Sequence, residues 1–539
     1  MRGRICLPLV AALAIASPAR PQGHGPHELP VVEPALLERP IGIQTGIGRT
    51  HDNVTTASPD AQRFYDQGLA YLHHFEWINA ARSFNEALGH DRALALAHVG
   101  LSYADVELNQ SEPARLALTR ARLLADRVTE HERRHIVIRE RQMEAAAAPG
   151  DARRMASYRQ ALDDALAEFP SDVELWLQRG VAESPDILDR GQGSPATSVR
   201  FYERALALVP DHFAAHHYLT HAYENSGRIQ DALAHGAAYA RGAPQVAHAR
   251  HMYGHDLRRL GRIEEAIADF EAANRLETAS LAIEGFRPEY DWHHEHNLDL
   301  LGTSYQYTGR IAQAERVLKD AFDLPTANLA QAVNKRQWLV FLRARGRGDE
   351  ALAAARTLLD YPHPVVQAIG HIESGYALMM KRQFAEAAAA ANAALAAMKR
   401  AASGGGLAAL PFEGLQGEFY LRTGQGAKGR AMLEAMVKRA RQAPGPDNWA
   451  MALFTLESAA RAAREVGDWE LAHAMAEQML DHDPAYAGTH YALALVAEHA
   501  GDASIAAREL ALAEQYWRHA DPTLPELFQI RSKRSAIRN

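Results

Sequence analysis

The sequence predicts an all-α protein assembled from repeated helical pairs. Three observations carry this. Ala is abundant, Leu and Glu are frequent, and runs of β-branched residues are scarce, a composition that favours helix. A Gly-Arg or Gly-Asp turn followed by an amphipathic stretch recurs along the chain, and successive turn glycines such as Gly227 and Gly261 lie 34 residues apart. The length of 539 residues exceeds what one compact core holds, which points to several domains or a repeat array.

Taken in order, residues 1–19 read as an export signal. A short basic start, "MRGR", precedes the apolar run "ICLPLVAALAIA" and small residues suited to cleavage. The run is too short to span a bilayer, and no later stretch reaches membrane length. The mature chain is expected to be soluble and periplasmic or secreted. Cys6 is the only cysteine, so after cleavage disulfides and thiolate-bound metals are excluded. No C-x-x-C-H is present, which excludes a c-type haem. Residues 20–58, rich in Pro, Gly and His without period, read as a flexible or loosely docked leader.

Helical pairs follow from residue 59 onward. The first is "AQRFYDQGLAYLHHFEWINAARSFNEAL" (61–88), with Gly68 where two helices approach closely and Ala80, Phe84 and Ala87 on the facing side. Turn glycines then recur at Gly227, Gly261, Gly309, Gly346, Gly424, Gly467 and Gly501. Two long insertions interrupt the pattern, at 184–198 and 278–292, and "ASGGGLAALP" (402–411) reads as a break. The expected division is an N-terminal array over 59–277, a central array over 278–401 and a C-terminal array with its tail over 402–539.

The small and aromatic positions of these segments resemble the tetratricopeptide repeat family over roughly 60–520. The resemblance implies a right-handed superhelical solenoid of about a dozen repeats, whose first helices line a concave groove through repeat positions 2, 5 and 9. The segments "HHYLTHAYE", "HARHMYGHDLRRLGR" and "HEHNLDLLGTSYQYTGR" are further similar to an exported, His-rich bacterial subgroup of that family. Asp299 departs from it, standing where the subgroup often has another His.

The histidines carry the functional reading. With the turn glycine as position 15, His217 and His251 fall at position 5, His221 and His255 at position 9, and His248 and His296 at position 2. Residues four apart share a helix face, so the four imidazoles of the two pairs are expected to converge in the groove. Neutral imidazole suits Zn, Cu or Fe, which makes His217, His221, His251, His255 and His296 candidate metal ligands. His73, His98, His248, Tyr253 and Asp299 are candidate groove contacts. Glu224, Tyr253, Asp256 and Asp299 are candidate partners for the outer ring nitrogens, and Tyr290 and Trp292 candidate covers. Clustered imidazoles are expected to titrate near 6.

The chain has 27 histidines, so proximity alone proves little; the matched register gives the pattern its weight. Two functions stay open: a scaffold holding a peptide or protein segment in the groove, or a multi-His metal protein with or without catalysis. Isolated histidines (His371, His473, His490, His519) read as packed or solvated. "HERRH" (131–135) reads as a solvated helix face because of its arginines. A net charge of -8 argues against nucleic acid as a partner. No phosphate-binding glycine loop and no G-x-S-x-G nucleophile motif is present.

Overall fold

The computed structural model describes residues 32–325, 329–401, 405–442 and 447–538. The expected export signal and residues 20–31 lie outside them. Among the described residues the secondary structure is helical, with short turns and no strand. The chain divides into two compact units, and the boundary falls between Asn297 and Leu298. That differs from the expected cuts at 278 and 402.

The first unit contains α1 (Pro34–Leu37), α2 (Pro59–His73), α3 (Trp77–His90), α4 (Ala95–Glu107), α5 (Ser111–Leu123), α6 (Glu130–Ala146) and α7 (Ala152–Glu168). It continues with α8 (Val173–Val181), α9 (Val199–Leu208), α10 (Phe213–Asn225), α11 (Ile229–Gly242), α12 (Ala247–Arg259), α13 (Ile263–Glu284) and the start of α14 (Trp292–Tyr307). Helix starts follow local chemistry. Ser58 caps α2 ahead of Pro59, Thr129 and Glu132 form a reciprocal capping box on α6, and Asp172 caps α8. Pairing is sequential, α2 with α3, α4 with α5, α10 with α11 and α12 with α13. Close approach depends on missing side chains: a Cβ at Gly68 would lie 2.5 Å from the Phe84 ring, and one at Gly254 2.7 Å from Phe270.

The turn between paired helices needs one residue with left-handed φ. Glycine supplies it at all seven recurring turn positions, while Phe75 (φ 63°), Asn109 (φ 58°) and Arg382 (φ 58°) supply it in three other turns. Only Gly adopts this conformation without steric cost.

The leader is not loose over its described length. Val32, Leu37, Ile41 and Ile47 are buried in the core of the unit. Gly46 accepts a backbone hydrogen bond from Gln245, at 2.9 Å, and Arg82 donates to the carbonyls of Arg39 and Pro40. Four apolar side chains and a set of specific polar contacts outweigh the entropy that composition alone suggested. The insertion expected over 278–292 is also largely helical. Here α13 runs on to Glu284 and ends on left-handed Gly285, followed by a 3-10 turn at Pro288–Tyr290.

The second unit, residues 298–324 and 329–538 among those described, repeats the same antiparallel pairing, for example Pro364–Met380 with Phe384–Arg400 and Ala487–Ala500 with Ala503–Tyr516. Its buried Glu373 is held by Arg343 (2.9 Å) and Arg336 (3.4 Å). No described helix is long and apolar enough to cross a membrane.

Candidate metal centre

The histidines singled out by register gather inside the first unit as two triads. His217 and His221 of α10 meet His248 of α12; His251 and His255 of α12 meet His296 of α14. In each triad one ligand nitrogen per residue lies within 4.8 Å of the others. The expectation that four imidazoles converge is therefore replaced by a finer rule. Positions 5 and 9 of one repeat are completed by position 2 of the next. The row begins at α10, where position 2 is Ala214, and ends at α14, where positions 5 and 9 are Asp299 and Thr303.

In the first triad the Nε2 atom of His217 is 3.1 Å from that of His221 and 2.9 Å from that of His248. Nitrogens placed tetrahedrally at about 2.0–2.1 Å from one ion lie about 3.3 Å apart, so a small outward shift of these rings would fit a common cation. The other face of His217 is fixed, because Nδ1 donates to the carbonyl of His73 at 2.7 Å. That assigns the proton to Nδ1 and turns the Nε2 lone pair into the cluster. Phe75 covers this triad, its ring centroid 4.7 Å from His217 and 5.3 Å from His248, while Tyr239 stacks on His217 at 4.5 Å.

The second triad has ring centroids 4.4 Å apart for His251 and His255 and 4.9 Å for His251 and His296. Nδ1 of His251 donates to the amide oxygen of Asn297 at 3.0 Å, and Asn297 donates onward to the carbonyl of Phe270 at 2.9 Å. This is again an anchored outer nitrogen with the inner one facing the cluster.

Glu224 stands between the triads. Its carboxylate lies 3.7 Å from Nδ1 of His221 and 3.5 Å from Nδ1 of His255. Asp256 lies against it. Burial first, then the neighbouring Glu224, drives the Asp256 carboxyl far above the usual range. One carboxylate thus serves a ligand of each triad, the carboxylate–histidine arrangement that orients metal ligands.

The imidazoles do not behave as solvated groups. His217 is 0% and His251 1% exposed. Burial first, then repulsion from His221, drives His217 well below the ordinary imidazole range. Burial, then His293 and His217, does the same to His248, and burial, then His251, to His255. For His217, His248 and His255 the shift is downward from the expected value near 6, which favours the neutral imidazole and its free lone pair.

The remaining candidates fall elsewhere. His73 is bound to Glu174 (3.0 Å) and Tyr218 (2.7 Å), and only its carbonyl reaches the first triad. His98 is buried on α4, where burial lowers it to about 4. Tyr253 is half-buried, with its backbone against Gly236. Asp299 belongs to the second unit. Trp292 packs on His293 and His248, and His294 pairs with Glu277 at 3.3 Å.

One group escaped the sequence reading. "HERRH" is not a solvated face. His135 is buried, and His131 and His135 both reach Asp172, at 2.6 and 3.0 Å. Its letters spell H-E-x-x-H, and that spacing was the available signal. Asp52 of the leader joins it, 3.7 Å from His131. Burial opposes the ionised form of Asp172, yet the two imidazole hydrogen bonds outweigh it and hold this carboxyl below the usual range. Burial pushes Asp52 up to about 7.

No family model and no curated protein matches this sequence. Among solved structures the chain is similar to a tetratricopeptide repeat protein from Parabacteroides merdae, with 15% identity, 48% of this chain and 92% of that one covered, and a TM-score of 0.34. It is also similar to human IFIT1, solved as a dimer with PPP-AAAA, with 12% identity, 85% and 95% coverage and a TM-score of 0.40. The APC/C hetero-tetramer Cut9–Hcn1 is a third, with 14% identity, 88% and 96% coverage and a TM-score of 0.29.

Proposed function

We propose that this is a metal-binding protein whose first unit holds two neighbouring transition-metal ions, one in each His triad. The observation that carries the reading is the pair of three-imidazole clusters, with an outer nitrogen anchored by the His73 carbonyl in one and by Asn297 in the other, and the Glu224 carboxylate beside both. Six imidazoles and no thiolate suit Zn, Cu or Fe. Three protein ligands leave a coordination position for water or a small substrate, the arrangement found in catalytic rather than structural zinc sites. The signal-like residues 1–19 support export as the setting.

The alternative, a peptide held against these histidines, draws less support. The imidazoles are buried, and the leader packs on the first repeat, where the Ile47 carbonyl accepts from His74 at 2.6 Å. A peptide would have to bind elsewhere on the repeats.

The test is metal analysis of untagged mature protein. Two equivalents retained by the triads, one lost in His217→Ala and the other in His251→Ala, would support the reading. Protein that binds no Zn, Cu or Fe, and whose thermal stability none of them changes, would end it.

A further inference from the structure

The leader and α6 meet at a group the triads do not use. His131 and His135 sit one turn apart on the first turns of α6, with ring centroids 4.8 Å apart. Asp172 reaches them from the N-terminus of α8, and Asp52 from the leader. We propose that Asp52, His131, His135 and Asp172 form a third metal site, for a divalent cation of the zinc class, which pins the leader onto the repeats.

Each carboxylate is turned toward the group by a partner on its other oxygen. In Asp172, Oδ1 accepts from the backbone of Leu175 at 3.0 Å as the cap of α8, and Oδ2 faces both imidazoles. In Asp52, Oδ2 meets the Tyr65 hydroxyl at 3.4 Å, and Oδ1 faces His131. Donor atoms of Asp52, His131 and His135 lie within 4.8 Å of one another, and Asp172 Oδ2 lies 2.6 and 3.0 Å from the two imidazoles, so small side-chain shifts bring these donors to the ~2.0–2.1 Å that zinc requires. Two imidazoles and two carboxylates are a zinc-type donor set, distinct from the all-imidazole triads. Three of the side chains are nearly closed off, while that of His131 keeps 20% exposure and leaves a way in.

The letters H-E-x-x-H suggest a hydrolase, but the geometry of Glu132 does not. That carboxylate is fully buried. It accepts from the backbone and hydroxyl of Thr129 at 3.0 and 2.9 Å, from the backbone of Thr55 at 2.8 Å and from the Thr55 hydroxyl. Both of its oxygens are held by Thr55 or Thr129 and neither is open to solvent, so it is not placed to activate water as a general base. The site is therefore structural. Thr55 belongs to the same leader, so the Glu132 contact and the metal fasten one segment at two neighbouring points.

The experiment uses full-length mature protein without a tag, stripped by chelator and reloaded with zinc. Variants are Asp52→Asn, which keeps shape and the Tyr65 contact, and the double variant His217→Ala/His251→Ala. Readouts are bound zinc and trypsin cleavage after Arg49, an exposed leader residue. Asp52→Asn is expected to lose one equivalent, and zinc is expected to slow cleavage at Arg49 at least tenfold in the wild type but not in Asp52→Asn. The double variant should keep the zinc protection. If the triads bind nothing, the wild type still holds one equivalent, lost in Asp52→Asn, so the two readings fail separately. Equal zinc content and equal protection in wild type and Asp52→Asn would overturn the third site, as would zinc protection that vanishes in the double variant alone.

Discussion

Glu224 offers the sharpest test of the paired triads, because it touches a ligand of each. Glu224→Gln keeps the side-chain length and shape, so the local packing is retained. What it loses is the charge facing Nδ1 of His221 and His255, at 3.7 and 3.5 Å. Removing such an outer partner costs about 10–100-fold in metal affinity, or about 1.4–2.7 kcal/mol per site. Both distances are long for a hydrogen bond, so the lower end, about tenfold at each triad, is expected. Asn297→Ala is the counterpart. It removes a 3.0 Å hydrogen bond to His251 alone and should weaken one site by up to about 100-fold while leaving the other. Competition against a chromophoric chelator, fitted to two dissociation constants for each protein, reads this out. Glu224→Gln that shifts only one constant, or neither, in protein with unchanged circular dichroism refutes the bridging role.

Other consequences are measurable by unfolding. Phe75→Gly relieves about 1 kcal/mol of left-handed backbone strain but removes a buried ring worth about 3–5 kcal/mol; a net loss of about 2–4 kcal/mol in urea titration is expected. Gly254→Ala places a Cβ 2.7 Å from Phe270 and should cost about 1–3 kcal/mol by overpacking. Gly227→Ala meets open space and should cost only the ~1–2 kcal/mol of its positive φ. Burial, opposed by Arg139, raises Asp105 from 3.8 to about 7. The folded state then holds a proton that the unfolded chain releases. Its contribution is fully present below about pH 4 and is lost as pH rises to about 7, by at most ~4 kcal/mol. Asp105→Asn should flatten the melting temperature over that window, and an unchanged pH profile would contradict the assignment.

The repeat architecture was legible because the turn glycine and the 34-residue register are local signals, and both reappear in the backbone as left-handed φ at Gly227 and Gly261. The partners at the triads were legible in part. His248 and His296 were placed at position 2, but only the packing of α12 on α10 and of α14 on α12 shows that they complete the preceding pair. Composition misleads at the leader because Pro, Gly and His content describes an isolated chain. Nothing in residues 32–58 announces that Ile47 and Asp52 have receptors on helices far away in sequence. "HERRH" misleads for the same reason: its arginines are near in sequence, whereas Asp172 and Asp52 are near only in space.

Each triad straddles a seam between consecutive repeats, and α12 contributes to both. In a linear array, repeats communicate with their neighbours alone and can fray one at a time. An ion that draws ligands from both sides of a seam resists fraying there, and two ions on adjoining seams would make three repeats open together or not at all. Duplicating the α12 repeat in place would create one more complete ligand set with no new residue type, so the number of ions held would grow with the number of seams.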